Sequence, residues 1–259
     1  MTDHLQKSIR MTPPDLEYNT HDLVESPLPP IESTYQVLSQ HEMLESLMVL
    51  FRSHANLENA LPMATYMKNQ FQFLGLKKPE RTKLQRDLIQ RVKRDRGLDC
   101  GVIPILWDAP EREFQYLALD LLCVVEPQME AEALPLLRAL IVEKSWWDTV
   151  DLIASKLIGP LSLRYPELVT EEVKRWGTAD NLWLRRSALL FQLKHKARTD
   201  LALLEHLIDS NTGTDEFFIN KAIGWILREY SKFDPEWVRT FISQHPLHAL
   251  SVREGSKYL

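Results

Sequence analysis

Four segments of this chain, EFQYLALDLLC, SWWDTVDLIASKLI, NLWLRRSALLFQLK and EFFINKAIGWILRE, open on an aromatic residue and continue with apolar side chains at helical spacing. Registered on Phe114, Trp147, Trp183 and Phe218, they recur at separations of 33, 36 and 35 residues. That is the period of a helix pair, and a unit of that size cannot bury its apolar face alone. It must stack on its neighbours. From Ser39 onward, helical patterns follow one another between breaks at Gly75, Gly97 to Gly101, Pro110, Pro127, Gly159 to Pro160, Pro166, Gly177 to Asn181, Asn211 to Thr214 and Pro235. No alternating strand pattern of useful length appears, and there are only 8 glycines to serve hairpins. The expected fold is all-α, an α-α superhelix of stacked helical repeats over residues 39–259.

Residues 1–38 read differently. They hold five of the 15 prolines, six acids against two bases, and no sustained period, as an extended, flexible arm would. The net charge of −5 therefore sits largely in this arm and leaves the body nearly neutral. Within the body, Lys77 to Arg96 carries nine Lys/Arg against three Asp/Glu and reads as one strongly basic helix, either a solvated face or a surface for an anionic partner. Cys100 and Cys123 lack metal-site or disulfide spacing. Without an apolar leader or an 18-residue apolar run, the expectation is a cytoplasmic protein off the membrane.

On the helix opened by KSWWDTVD, Trp146, Val150, Ile153, Ala154 and Leu157 share an apolar face, with Trp147 and Asp151 one turn apart at its margin. An indole beside a carboxylate suits a cation; an edge Trp next to a solvated Asp is the plainer alternative. In FFINKAIGWILREY, Trp225 lies at the edge of a core face made by Phe218, Ile219, Ala222, Ile223, Ile226 and Tyr230, flanked by Lys221 and Arg228. That is either a platform for a sugar-phosphate backbone or a boundary Trp with snorkelling neighbours. Arg186 falls among Leu182, Leu189, Leu190 and Leu193 and needs an anion, either an acid on an adjacent helix or a phosphate. Motifs for a serine or cysteine nucleophile, a zinc site, a phosphate loop or a dinucleotide are missing. No metal or cofactor is expected. One carboxylate among aromatic faces fits stabilisation of an oxocarbenium-like species by electrostatics.

Taken together, PMATYMKNQFQFLGLKKPER, LWDAPEREFQYLALD, KSWWDTVD, DNLWLRRSALLFQLKHK and EFFINKAIGWILREY resemble the AlkD family of DNA alkylation repair enzymes over roughly residues 40 to 257. The resemblance implies a right-handed, C-shaped solenoid of HEAT-like repeats around duplex DNA. It also implies a monomeric, monofunctional glycosylase that releases N3- and N7-alkylated purines without drawing them into a deep pocket. By position, Asp151 is then the catalytic carboxylate, and Trp147 and Trp225 bracket the deoxyribose. Tyr66, Arg186 and Arg228 match DNA-contacting positions, and Lys221 lies beside them. The acidic arm has no counterpart in the family pattern, and Thr65 stands where a basic residue is expected. The rival function is a non-catalytic solenoid that binds branched nucleic acid or a protein.

Overall fold

The computed structural model describes residues 38–259, so the expected arm lies outside the described residues apart from Leu38. Among the described residues the regular structure is helical, with one isolated bridge between Gln72 and Glu111. The body begins where its first cap stands. Ser39 and Glu42 form a reciprocal capping box at the start of α1 (Gln40–Ser53). Then follow α2 (Leu57–Tyr66), α3 (Lys78–Leu84), α4 (Arg86–Asp95), α5 (Val102–Asp108), α6 (Arg112–Val125), α7 (Leu134–Val142) and α8 (Trp147–Leu152). After these come α9 (Gly159–Arg164), α10 (Pro166–Trp176), α11 (Leu182–Leu190), α12 (Leu201–Asp209), α13 (Phe217–Ser231), α14 (Pro235–Gln244) and α15 (Ala249–Gly255).

The repeat is sharper in the fold than in the sequence. Helices α6, α8, α11 and α13 begin at Arg112, Trp147, Leu182 and Phe217, a constant spacing of 35 residues. These second helices pack side by side in chain order, with α15 closing the row. The first helices α5, α7, α10, α12 and α14 precede them, each joined to its partner by a short connection. The chain is thus a helical-repeat solenoid whose fully buried Leu117, Val150, Leu189 and Ile223 form one continuous core. Polar bonds between successive units follow the same period. Trp107 Nε1 donates to Glu143 O at 3.1 Å, and Asn211 Nδ2 donates to Gly177 O at 2.8 Å.

Three details differ from the sequence-based expectation. The basic run is two helices, α3 and α4, which meet at Gln85 and not in a single rod. Gly159 and Pro160 do not break the chain. Ile153–Ile158 widens into a π-helical turn that carries α8 into α9, and the wider turn accommodates a proline that cannot donate back along the helix. Gly159 is required at this point because a Cβ there would lie 2.5 Å from Phe191 O of the adjacent repeat. Finally, Trp146 and not Trp147 joins the aromatic stack, with ring centroids 5.6 Å from Trp183 and 5.2 Å from Phe218. Phe218 is accordingly half-buried in that stack and does not lie in the deep core.

The connection between α2 and α3 is irregular, yet a buried carboxylate holds it. Glu113, fully enclosed in the first turn of α6, accepts from the backbone N–H groups of Leu74, Gly75 and Leu76 at 2.9 to 3.1 Å. Gly75 takes φ +89° there, and a Cβ would strike Asn56 O at 2.0 Å. Replacing Glu113 with alanine strands three buried donors, each worth roughly 1–3 kcal/mol. Glu113→Ala should lower the free energy of unfolding in urea by at least ~3 kcal/mol. An unchanged urea midpoint would show that this carboxylate does not hold the connection.

Candidate active site

The second helices bring most of the sequence-predicted residues onto one layer. Trp147 and Asp151 stand one turn apart on α8, Arg186 on α11, and Lys221, Trp225 and Arg228 on α13. Tyr66, at the end of α2, joins them across the chain. Its ring is 69% exposed and meets Trp147 edge-on at 6.0 Å between centroids. Beside Tyr66 opens a cleft of about 420 Å³ lined by Met63, Met67, Phe73, Lys77 and Tyr116.

The centre of the layer is a fork. Arg186 Nε and Nη2 donate to the two carboxylate oxygens of Asp151 at 2.7 and 2.8 Å, and its Nη1 donates to Phe218 O. Only 2% of the Arg186 side chain and 14% of the Asp151 side chain remain exposed. All three nitrogens of this guanidinium are engaged within the protein. Of the two anions open to Arg186, the one it meets here is the acid alternative, Asp151 of the neighbouring repeat. The guanidinium carbon also lies 5.8 Å from the Trp225 ring centroid, so one side chain spans the distance between the carboxylate and the second indole.

Burial pushes the Asp151 carboxyl above the ordinary aspartate range, the nearby Asp148 charge adds to that rise, and Arg186 opposes it. The guanidinium in bidentate contact favours the charged form of Asp151 against that burial. Each oxygen spends one lone pair on Arg186 and keeps another for a water or a sugar on the open side.

Lys221 and Arg228 are placed on the same layer but turn towards Glu254. Its nearly buried carboxylate takes Lys221 Nζ at 2.9 Å, Arg228 Nη1 at 3.1 Å and Lys257 Nζ at 2.8 Å. Lys257 and Lys221 hold the Glu254 carboxyl down at about 2. Three cations around one anion leave surplus positive charge beside Trp225, whose ring centroid is 5.7 Å from the Arg228 guanidinium. Lys257 and Glu254 escaped the sequence reading because α15 has no aromatic start to align with the other repeats.

A second buried network also escaped it. Arg112 of α6 is fully enclosed and donates to Asp148 at 2.7 and 2.9 Å, to Thr149 Oγ1 at 2.9 Å and to Lys144 O at 2.8 Å. Tyr116 donates to Asp148 Oδ2 at 2.7 Å. The available signal was an arginine directly before a helical apolar run, which a helical wheel reads as solvent-facing.

Glu205, Asp209 and His245 place carboxylate and imidazole atoms within 4.8 Å of one another. They form a surface ion-pair cluster between α12 and the end of α14, away from the layer that carries Asp151.

Comparison with known proteins follows this geometry. A family profile described as DNA alkylation repair enzyme matches residues 47–259. The chain belongs to the DNA alkylation repair enzyme family. A solved structure described as a predicted DNA alkylation repair enzyme from Enterococcus faecalis is 37% identical to this member, with a TM-score of 0.73. The match covers 80% of this chain and 97% of that one. The search of curated proteins returned no match. Membership assigns this family member a role in DNA alkylation repair, with DNA as its substrate. Among the described residues no helix is long and apolar enough to cross a membrane.

The committed state of Arg186 has a measurable consequence. Arg186→Ala should cost about 3–5 kcal/mol of stability, because it leaves the buried Asp151 charge without its partner. The salt dependence of DNA binding should stay at the wild-type slope. A slope flattened by about one unit would show that Arg186 also neutralises a phosphate.

Proposed function

We propose that the protein is a monofunctional alkylpurine DNA glycosylase that hydrolyses the N-glycosidic bond of N3- and N7-alkylated purines in duplex DNA. The observation that carries this reading is a charged carboxylate, oriented by a fork and partly open, on the same protein layer as two half-buried indoles. Alkylation at N3 or N7 makes the purine cationic and already a good leaving group. The protein must therefore supply only part of the barrier reduction. As the bond breaks, positive charge passes to the deoxyribose. Asp151 lies where a fixed anion can meet that charge without reorganising. The Arg186 fork fixes the carboxylate plane, so the free lone pairs have one direction to offer for the sugar or the attacking water. Trp147 and Trp225 present π faces to the sugar C–H groups, which become more positive in the transition state.

Duplex DNA would be held by phosphates rather than by base edges. Tyr66 is exposed beside Trp147, and the Lys221, Arg228 and Lys257 group offers net positive charge beside Trp225. A single chain carries all the groups named, which fits action as a monomer.

The test is release of 7-methylguanine and 3-methyladenine from methylated duplex DNA in EDTA. The wild type should release both. Asp151→Asn should fall by at least about 100-fold in release rate while binding DNA as before. Release unaltered in Asp151→Asn would overturn the role of this carboxylate. No release by the wild type, with DNA binding retained, would favour the non-catalytic solenoid.

The rate requires ionised Asp151, whose pKa lies above the ordinary aspartate value. As pH falls, the carboxylate therefore protonates earlier than a free aspartate would, and release should decline at a pH above the usual carboxylate range. A profile that stays flat down through that range would count against the assignment. Lys221→Met should flatten the dependence of log K on log salt by about one unit. An unchanged slope would leave Lys221 as a partner of Glu254 alone.

A further inference from the structure

We propose that Arg112 is a positioning residue for the base-releasing site: its fork clamps the first turn of α8, which carries Trp147 and Asp151, and neutralises Asp148. The inference rests on the glycosylase reading and concerns a residue outside the cleft that touches no substrate.

The helix that carries Trp147 and Asp151 starts poorly on its own. Its N-cap residue, Trp146, makes no side-chain cap bond, and Lys144, two residues earlier, sits in the left-handed region at φ +47°. What holds the start is the preceding repeat. Lys144 Nζ donates to Asp108 O at 2.7 Å and Ala109 O at 2.8 Å. Arg112 Nη1 returns a bond to Lys144 O, and its other donors take the Asp148 carboxylate and the Thr149 hydroxyl. The guanidinium is stacked 3.7 Å from the Phe71 ring centroid, so it has one available orientation. Trp147, by contrast, has one aromatic neighbour, the edge of an exposed Tyr66. The backbone beneath it therefore fixes its place more than its own ring contacts do.

The second half of the role is electrostatic. Asp148 and Asp151 are three residues apart on one helix and face the same side of it. Asp148 raises the Asp151 pKa even with Arg112 beside it. The charged and titratable groups around Asp151 are Arg186 from α11 and Asp148 on its own helix, with the Arg112 guanidinium and the neutral Tyr116 phenol of α6 behind Asp148. From α13 the contact on this side is Trp225, and the cations Lys221 and Arg228 turn to Glu254. Without Arg112 a bare anion would stand one turn from the reacting carboxylate.

Arg112→Lys loses the fork and leaves Asp148 less fully neutralised, since one ammonium cannot meet both carboxylate oxygens and the Lys144 carbonyl, and Tyr116→Phe keeps the ring and removes one donor to Asp148. Two readouts separate positioning from stability, each taken below the melting temperature of the variant. For single-turnover release from methylated duplex DNA, Arg112→Lys should lose about tenfold or more in rate with DNA affinity unchanged. The carboxyl carbon of Asp151, followed by NMR in the absence of DNA, should titrate at higher pH in Arg112→Lys. It should shift the same way, by less, in Tyr116→Phe. Folded variants that keep both the wild-type rate and the wild-type titration would overturn the proposal. If Arg112→Lys does not fold, the Tyr116→Phe titration decides alone, and an unshifted curve sinks it. A wild type that releases no base removes the glycosylase reading, whereas the titration still judges the neutralisation of Asp148.

Discussion

The bond between Arg186 and Asp151 joins two adjacent repeats, and the arrangement of the layer depends on it. A guanidinium enclosed to 2% exposure and a carboxylate at 14% can exist in this interior only because each is the other's partner. Such a pair is poor value as pure stabilisation, since well-packed apolar side chains of the same volume do as well or better. What it supplies here is orientation. Both carboxylate oxygens are fixed, Phe218 O is fixed by the third donor, and the same guanidinium lies against Trp225. Three consecutive second helices are thereby locked in register around one anion.

The same device appears one repeat earlier. Arg112 of α6 reaches forward to Asp148 of α8, as Arg186 of α11 reaches back to Asp151. Helix α8 is thus gripped from both sides by bidentate arginines, at positions one turn apart. Apolar packing alone would allow it to slide or rotate slightly in a solenoid whose units interact mainly with their neighbours. Fork geometry removes that freedom, because a planar guanidinium meets a planar carboxylate in few orientations. The π-helical turn that begins directly after Leu152 fits this picture. The chain accepts a local departure from α-helical bonding at Ile153–Ile158 and continues through Pro160, so the first turn of α8 and the rest of the helix need not share one ideal phase.

How much of this was legible in the sequence follows from what each signal measures. Periodicity reports which face of a helix is apolar, and Val150, Ile153, Ala154 and Leu157 are all fully buried as the wheel required. The repeat was legible for the same reason, although its register was set on Trp147, whereas Trp146, which the wheel puts on the apolar face, is the indole that stacks on Trp183. Partner identity is beyond periodicity. Arg186 on an apolar face demanded an anion, yet acid and phosphate satisfy that demand equally until the neighbouring helix is placed. Arg112, Glu113 and Glu254 were invisible because a charged residue at a helix end is usually solvated, and a wheel cannot see that another repeat covers it. The candidate residues were singled out through their aromatic and acidic members, whose rarity at a helix margin makes them conspicuous. Their supporting arginine, Arg112, was not.

A site built this way separates two kinds of charge. Asp151, Asp148 and Glu254 are anions, each given an arginine partner and little exposure, while the lysines near them remain partly open to water. For a polyanionic duplex this ordering matters. An exposed carboxylate on a phosphate-binding surface would repel the backbone over several ångströms, whereas one covered by a guanidinium presents little net field at that distance. At contact range the balance changes, because the free lone pairs of Asp151 are still directed to whatever lies against them. On the proposed glycosylase reading, the fork would let one carboxylate be nearly silent to approaching DNA and effective against a cationic sugar held within hydrogen-bonding reach. That arrangement would reconcile the proposed anionic reacting centre with a DNA substrate that is itself an anion.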